Sequence, residues 1–296
     1  MKHKTAWGIG GVVFWQAHRG GGGFERPDNT LISAHYAWDL GGAAELDIRT
    51  TADGQIICLH DPTLRRTTDA PETIADIPVE SLPYASFAHV DAGAKFSPAF
   101  AGARVPLLKD IFAEMPALPE ARVYLDLKNI DLERLANLIA EYGLEERVWI
   151  AGPERPYLAA MRRLLPAVGT MQWIGGKSGY EIESKFLASA SEGFAGLSQI
   201  QLHLNDKIEP ENATDATAEK RVRNATTWRY TIGPEFISSA LALCSEANID
   251  LELFPWKFDE GDLFALLDLG VRWFATDEPE RFSTTVRRWL SKKNWA

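Results

Sequence analysis

Glu45 and Asp47 stand two residues apart in the run AAELDI, a spacing that on a β-strand turns both carboxylates to one face. Two acids on one face of an apolar strand repel each other and are costly to bury unless a cation stands between them. Upstream, His18 and Arg19 follow the apolar run VVFWQA, which puts them at the carboxyl end of a buried strand. Gly20 to Gly23 let the backbone turn sharply, and PDNTLISAHYAWDLGG reads as a helix stopped by Gly-Gly. Downstream, Asp53-Gly54 is a two-residue hairpin signal. With those two residues as the loop, Ala52 pairs with Gln55, and Asp47 lies directly opposite His60. Two histidines, an arginine and two acids then converge on one spot. The chemistry such a group offers is proton transfer beside a bound cation.

The same pieces, in the order HRG, PDNT, E-L-D, DG and HD followed by RTT, resemble the glycerophosphodiester phosphodiesterases. The resemblance continues through AGAKFSPAFAGARVPLLKDIF, YLDLKN and LLDLGVRWFATDEP, so it covers most of the chain. It implies a single TIM-barrel domain over residues 1–296 that hydrolyses glycerophosphodiesters to glycerol 3-phosphate and an alcohol. Two departures stand out. The family usually has Glu in PENT, where this chain has Asp28, and E-x-K on the next strand, where this chain has Asp126-Leu127-Lys128.

Asp126 and Lys128 again share one strand face at a spacing of two. Carried on the next inner strand, Asp126 becomes a third carboxylate beside Glu45 and Asp47. Three oxygen ligands with room for water suit Mg²⁺ or Ca²⁺, hard cations that also grip a phosphate. The plainer alternative is a structural Asp126–Lys128 pair. His18 and His60 fit paired acid–base work, one taking a proton from the attacking hydroxyl and the other giving one to the leaving alkoxide. Arg19 and Lys128 would stabilise charge on the phosphoryl oxygens. Asn29 resembles a family position whose side chain helps hold the site and binds substrate, and it equally suits a cap for the helix that follows. Trp256 falls near the family's seventh-strand tryptophan, but Pro255 and Lys257 break the usual W-T-V-N pattern, which implies a changed substrate pocket. His3, His35, His89 and His203 have no such company and read as surface or packing residues, although His203 ends a strand run at the barrel mouth.

The elements that must position these groups alternate. Strand candidates are residues 12–17, 43–48, 122–128, 147–152, 168–175, 194–202, 249–256 and 271–276, with 55–60 a hairpin extension. Helical patterns such as LERLANLIAEYGL, PYLAAMRRLL, GPEFISSALALCSEAN and GDLFALLDLG lie between them. Eight such strands in α/β alternation predict a closed (β/α) barrel. A doubly wound open sheet is the alternative, but no G-x-G-x-x-G follows the first strand. Residues 61–106 have weak periodicity and several prolines, and resemble a small insertion above the barrel mouth after the second strand. Residues 205–229 are polar and read as a long helix or a mobile loop near the same mouth.

A net charge of −10 excludes broad nucleic-acid binding, because nothing basic is concentrated enough to neutralise a phosphate backbone. The RVR at 221–223 and the RR and KK near the C-terminus are too short for that and read as solvated faces. No stretch approaches the ~18 apolar residues of a membrane span. The start, MKHK followed by an apolar run, faintly resembles a secretory leader, but cleavage after Ala17 would remove the first strand and leave His18 unsupported. A cytoplasmic enzyme acting on a small phosphodiester, without stable membrane insertion, is the expectation. Cys58 and Cys244 imply no disulfide framework, and Cys58, within IICL, is a packing residue. Two rival readings remain. One is a phospholipase-type relative with the same HR…E-x-D…HD layout. The other is a catalytically silent barrel that binds phosphodiesters or sugars, against which the intact His18 and His60 argue.

Overall fold

Parallel strands closed into a ring supply the frame of this computed structural model, which describes residues 7–207 and 228–293. In chain order the strands are β1 (Phe14–Ala17), β2 (Ala43–Thr50), β3 (Ile56–Cys58), β4 (Val123–Asn129), β5 (Val148–Gly152), β6 (Gly169–Ile174), β7 (Gln199–Leu204), β8 (Asp250–Pro255) and β9 (Trp273–Thr276). β1 pairs in parallel with both β2 and β9, which closes the eight-stranded barrel, while β3 is an antiparallel appendage of β2. The helices that follow the barrel strands are α1 (Leu31–Asp39), α3 (Leu108–Glu114), α4 (Leu132–Tyr142), α5 (Arg155–Leu164), α6 (Gly179–Ser191), α7 (Pro234–Glu246), α8 (Glu260–Asp268) and α9 (Pro279–Lys292); α2 (Glu72–Ala75) is a single short turn. This is the TIM barrel expected from the alternation, with the insertion after its second strand.

Alternation along each strand sorts side chains to two places. Ala44, Leu46 and Ile48 of β2, with Val123 and Leu125 of β4, face outward into the large core beneath the helices. Ala43 and Tyr124 face inward, where Trp7, Phe14, Trp149 and Trp273 form an aromatic floor. Inward positions one and two steps further along the same strands carry Glu45, Asp47, Asp126 and Lys128. The barrel interior is therefore apolar at its base and charged at its carboxyl end, where active sites of such barrels lie.

Two expectations are corrected in detail. Strand β7 begins at Gln199, not at residue 194, because Phe194 and Gly196 adopt positive φ and turn the chain first. The hairpin register is also shifted by one. Thr50 pairs with Ile56 and Ile48 with Cys58, so the loop has three residues, with Gly54 at φ +77. Thr51 enforces the longer loop: its hydroxyl accepts from the Gln55 N–H at 3.0 Å, and its own N–H donates to the Gln55 carbonyl at 2.9 Å. Asp47 consequently faces Leu59 across the ladder, whose N–H it accepts at 2.8 Å, and not His60. A one-residue slip would turn His60 away if the strand continued, but β3 ends at Cys58. Arg49 then captures the His60 carbonyl through Nε at 3.1 Å and Nη2 at 2.7 Å, and holds the departing chain over the mouth.

Residues 61–106 build a small second core from Leu64, Val79, Leu82, Phe87, Val90 and Val105, packed on Ile57 and Leu59 of the hairpin. Both cysteines are buried and unpaired. Most of the polar stretch at 205–229, including the basic triplet 221–223, lies outside the described residues, as does His3. Its two ends are drawn together by Asp206 and Arg229, whose Nη2 lies 2.6 Å from Asp206 Oδ2. Among the described residues, no helix is long and apolar enough to cross a membrane.

The glycine loop after β1 packs directly on the last strand. A Cβ at Gly22 would stand 2.2 Å from the Asp277 carbonyl oxygen, and Gly22 has φ +66. Gly193 has a similar φ of +63 but open space around it. Gly193→Ala should therefore cost only the left-handed backbone, about 1 kcal/mol. Gly22→Ala must also displace backbone and should cost roughly 3 kcal/mol. Urea unfolding of the two variants checks this, and equal losses would contradict the packing described.

Candidate active site

Glu45, Asp47 and Asp126 present carboxylate oxygens that all lie within 4.8 Å of one another. β2 and β4 are in register, with Asp47 beside Asp126 and Glu45 beside Tyr124, so the three acids form a compact triangle on the inner wall. All three are almost fully buried. Burial and the neighbouring Asp47 push the Glu45 carboxyl up to about 8. Burial likewise raises Asp126, with Lys128 opposing it. Asp47 goes the other way: burial would raise it, but Lys128, His60 and His18 together hold it below the usual carboxylate range. Lys128 Nζ lies 3.0 Å from Asp47 Oδ1 and 2.8 Å from Asp126 Oδ2. One ammonium shared between Asp47 and Asp126 does not neutralise three clustered acids. A compact all-oxygen donor set of three buried carboxylates fits a hard divalent cation.

Each histidine is backed by a carboxylate. His18 Nδ1 lies 2.6 Å from Asp277 Oδ1, and His60 Nδ1 lies 2.7 Å from Asp61 Oδ1. Burial alone would lower the His18 pKa, but the Asp277 hydrogen bond and the charge of Glu45 outweigh it and raise it. Asp61 is held down at about 2, since Arg66 and His60 overcome its partial burial. In both pairs Nδ1 is engaged, which leaves Nε2 as the nitrogen free to exchange protons.

Arg19 adopts φ +54, a left-handed turn that aims its N–H at Glu45 Oε2, 2.6 Å away. Its Nη1 donates to Asp28 Oδ2 at 3.0 Å, while Nε, 3.8 Å from Asp47 Oδ2, is buried and unbonded. The shorter Asp28 is reached from both sides, for Arg66 of the insertion also donates to its Oδ2 at 2.9 Å. Asn29 is not the cap of α1. Thr30 caps α1, and Asn29 donates to Asp47 Oδ2 at 2.9 Å while accepting from the Asp47 N–H at 2.8 Å. Trp256 is part-exposed beside the His18 ring, with centroids 5.9 Å apart, and leans on Phe254 at 4.1 Å. A cavity of about 260 Å³ between the glycine loop and the insertion is bordered by Arg19, Asp28, Arg66 and Lys95.

Sequence reasoning left three neighbours unassigned, Asp277, Asp61 and Trp173. Asp277 lies in the quoted FATDEP and Asp61 in the quoted HD, so adjacency to family motifs was the available signal for both. Trp173 donates through Nε1 to Asp126 Oδ1 at 3.3 Å, and His203 stacks on its ring at 5.4 Å. His203, which the sequence places at the end of a strand run at the barrel mouth, packs there against the rings that flank His18.

Comparison with known proteins agrees with this geometry. A glycerophosphodiester phosphodiesterase from Caldanaerobacter subterraneus subsp. tengcongensis is 28% identical over 282 residues, which cover 92% of this chain and 97% of that protein. The fold is shared with a glycerophosphodiester phosphodiesterase from Agrobacterium tumefaciens, at a TM-score of 0.66 and 21% identity over 92% of this chain and all of that one. It is shared equally with an Oleispira antarctica phosphodiesterase solved with its product sn-glycerol-3-phosphate, at a TM-score of 0.66 and 17% identity over 93% of this chain and 97% of that one. The family model matches residues 18–281, which run from His18 past the Asp277 that backs it, and the chain thus belongs to the glycerophosphoryl diester phosphodiesterase family.

Proposed function

We propose that the protein hydrolyses glycerophosphodiesters to glycerol 3-phosphate and an alcohol, with one catalytic domain carrying the whole reaction. The observation that carries this reading is a pair of histidines, each braced by a carboxylate, beside a buried triangle of three acids. Glu45, Asp47 and Asp126 would hold Mg²⁺ or Ca²⁺, which when bound supplies positive charge against the phosphoryl oxygens. Arg19 and Lys128 add charge at the same place, and Asn29 keeps Asp47 in position. One of His18 and His60 takes the proton from the attacking hydroxyl through Nε2, and the other protonates the leaving alkoxide. Asp277 and Asp61 fix the tautomers that these roles need. Trp256 and Phe254 form the apolar side of the substrate pocket. The buried, unpaired cysteines suit a reducing compartment such as the cytoplasm.

Release of glycerol 3-phosphate from glycerophosphocholine and glycerophosphoethanolamine tests the reading directly. Thorough chelation should abolish release, and added Mg²⁺ or Ca²⁺ should restore it. Asp126→Glu should keep activity, whereas Asp126→Ala should lose metal affinity. Full activity after chelation, or wild-type metal affinity in the alanine variant, would count against the acid triangle as a cation site.

The two histidines can be told apart by leaving group. His18→Ala and His60→Ala should each lower turnover of glycerophosphocholine by roughly 10²-fold or more. For a nitrophenyl phosphodiester, whose leaving group needs no proton, the deficit of one variant should shrink sharply and thereby identify the acid. Undiminished turnover in both variants would remove the histidines from the chemistry.

A further inference from the structure

Glu252 lies at the centre of the barrel, fully buried, and accepts from three glutamine amides. Gln16 Nε2 donates at 2.5 Å, Gln199 Nε2 at 3.1 Å, and Gln201 Nε2 also donates. The amide orientations are not free. Tyr124 donates its hydroxyl to Gln199 Oε1 at 2.9 Å, which turns the amino end of Gln199 toward Glu252. Gln201 pairs in register with Glu252, so its amino end faces that carboxylate and its Oε1 points up the barrel. There it meets His203 Nε2 at 3.1 Å.

An amide oxygen only accepts, so His203 must hold its proton on Nε2, which leaves Nδ1 a bare acceptor. Burial and the neighbouring His18 lower the His203 pKa to about 4, so the ring stays neutral. No hydrogen bond to Nδ1 occurs among the described residues. Gly175 leaves the space beside that nitrogen free of a side chain, since a Cβ there would stand 2.9 Å from it. The carbonyls of Gly175 and Gly176 turn away to Lys185 Nζ at 2.9 Å and Asn205 Nδ2 at 2.7 Å. The imidazole itself is clamped: it stacks on Trp173, which bonds Asp126, and meets Phe254 and Trp256 edge-on at 5.5 and 5.2 Å. Phe254 and Trp256 are also the rings against which His18 packs.

We propose that His203 is a substrate-binding residue whose Nδ1 accepts a hydrogen bond from a hydroxyl of the glycerol moiety. The inference rests on the functional reading above and adds to it the group that tells a polyol from an unsubstituted chain. Gln201, set by Glu252, is the positioning residue that fixes the tautomer. A site built to accept from a hydroxyl discriminates against a ligand lacking one, because the acceptor is then left unpaired in a desolvated place.

The test compares dissociation constants of sn-glycerol 3-phosphate and n-propyl phosphate, which has the same carbon chain without hydroxyls, measured by calorimetry in the presence of Mg²⁺. His203→Phe keeps an aromatic ring against Trp173, and its melting temperature reports whether the fold is retained. It should weaken glycerol 3-phosphate by about 3- to 10-fold and leave n-propyl phosphate within about twofold. His203→Asn, whose Oδ1 stands near the position of Nδ1, should recover most of the loss. Equal weakening of both phosphates, or of neither, would overturn the role of His203 and leave the functional reading standing. A wild-type protein that binds neither phosphate would overturn both.

Discussion

Mutual repulsion among Glu45, Asp47 and Asp126 is the constraint on which the rest of the structure depends. Three carboxylates within 4.8 Å of one another in a water-poor barrel mouth cannot all stay ionised without compensating charge. The protein answers in two ways. Lys128 and Arg19 approach from opposite sides, and the Glu45 carboxyl is driven up to about 8 so that it keeps a proton near neutral pH. Neither answer is complete: one ammonium is shared by two of the acids, and Arg19 Nε is buried without a hydrogen bond. That residual demand is what suits the cluster to a divalent cation.

Everything around the cluster fixes its geometry. The aromatic floor of Trp7, Phe14, Trp149 and Trp273 fills the lower barrel, and the in-register pairing of β2 and β4 above it sets Asp47 level with Asp126. Asn29 clamps Asp47 by two hydrogen bonds, and the left-handed turn at Arg19 delivers an N–H to Glu45. The histidines are held from outside the triangle, His18 by Asp277 at the end of the last strand and His60 by Asp61. Arg66 then bridges Asp61 and Asp28, which links the insertion to the glycine loop. The shorter side chain of Asp28 is thereby matched by an arginine reaching toward it from the other wall of the cleft.

Much of this was legible in the sequence, because strand periodicity alone turns Glu45 and Asp47, then Asp126 and Lys128, to common faces. The eight barrel strands were likewise visible as apolar runs. The hairpin was misread for a local reason: Asp53-Gly54 suits a two-residue turn, but the Thr51 hydroxyl captures the Gln55 N–H and adds a residue to the loop. His60 nevertheless stands at the mouth, because β3 is short and Arg49 holds the His60 carbonyl. What could not be read were partners distant in the chain. Asp277 meets His18 only because the barrel closes β9 onto β1, and the Glu252–Gln201–His203 line exists only across adjacent strands. No periodicity within a single element encodes those contacts.

The most direct test of the acid triangle as a cation receptor is proton release on metal binding. A Glu45 carboxyl held up to about 8 carries a proton at pH 7, and a divalent cation must displace it. Calorimetric titration with Ca²⁺ or Mg²⁺ at pH 7, in buffers of different ionisation enthalpy, should show release of about one proton per cation bound. The released fraction should fall, and affinity should level off, as the pH rises past about 9, where Glu45 is already ionised. Binding without proton release and with no pH dependence, or no binding at all, would contradict the account.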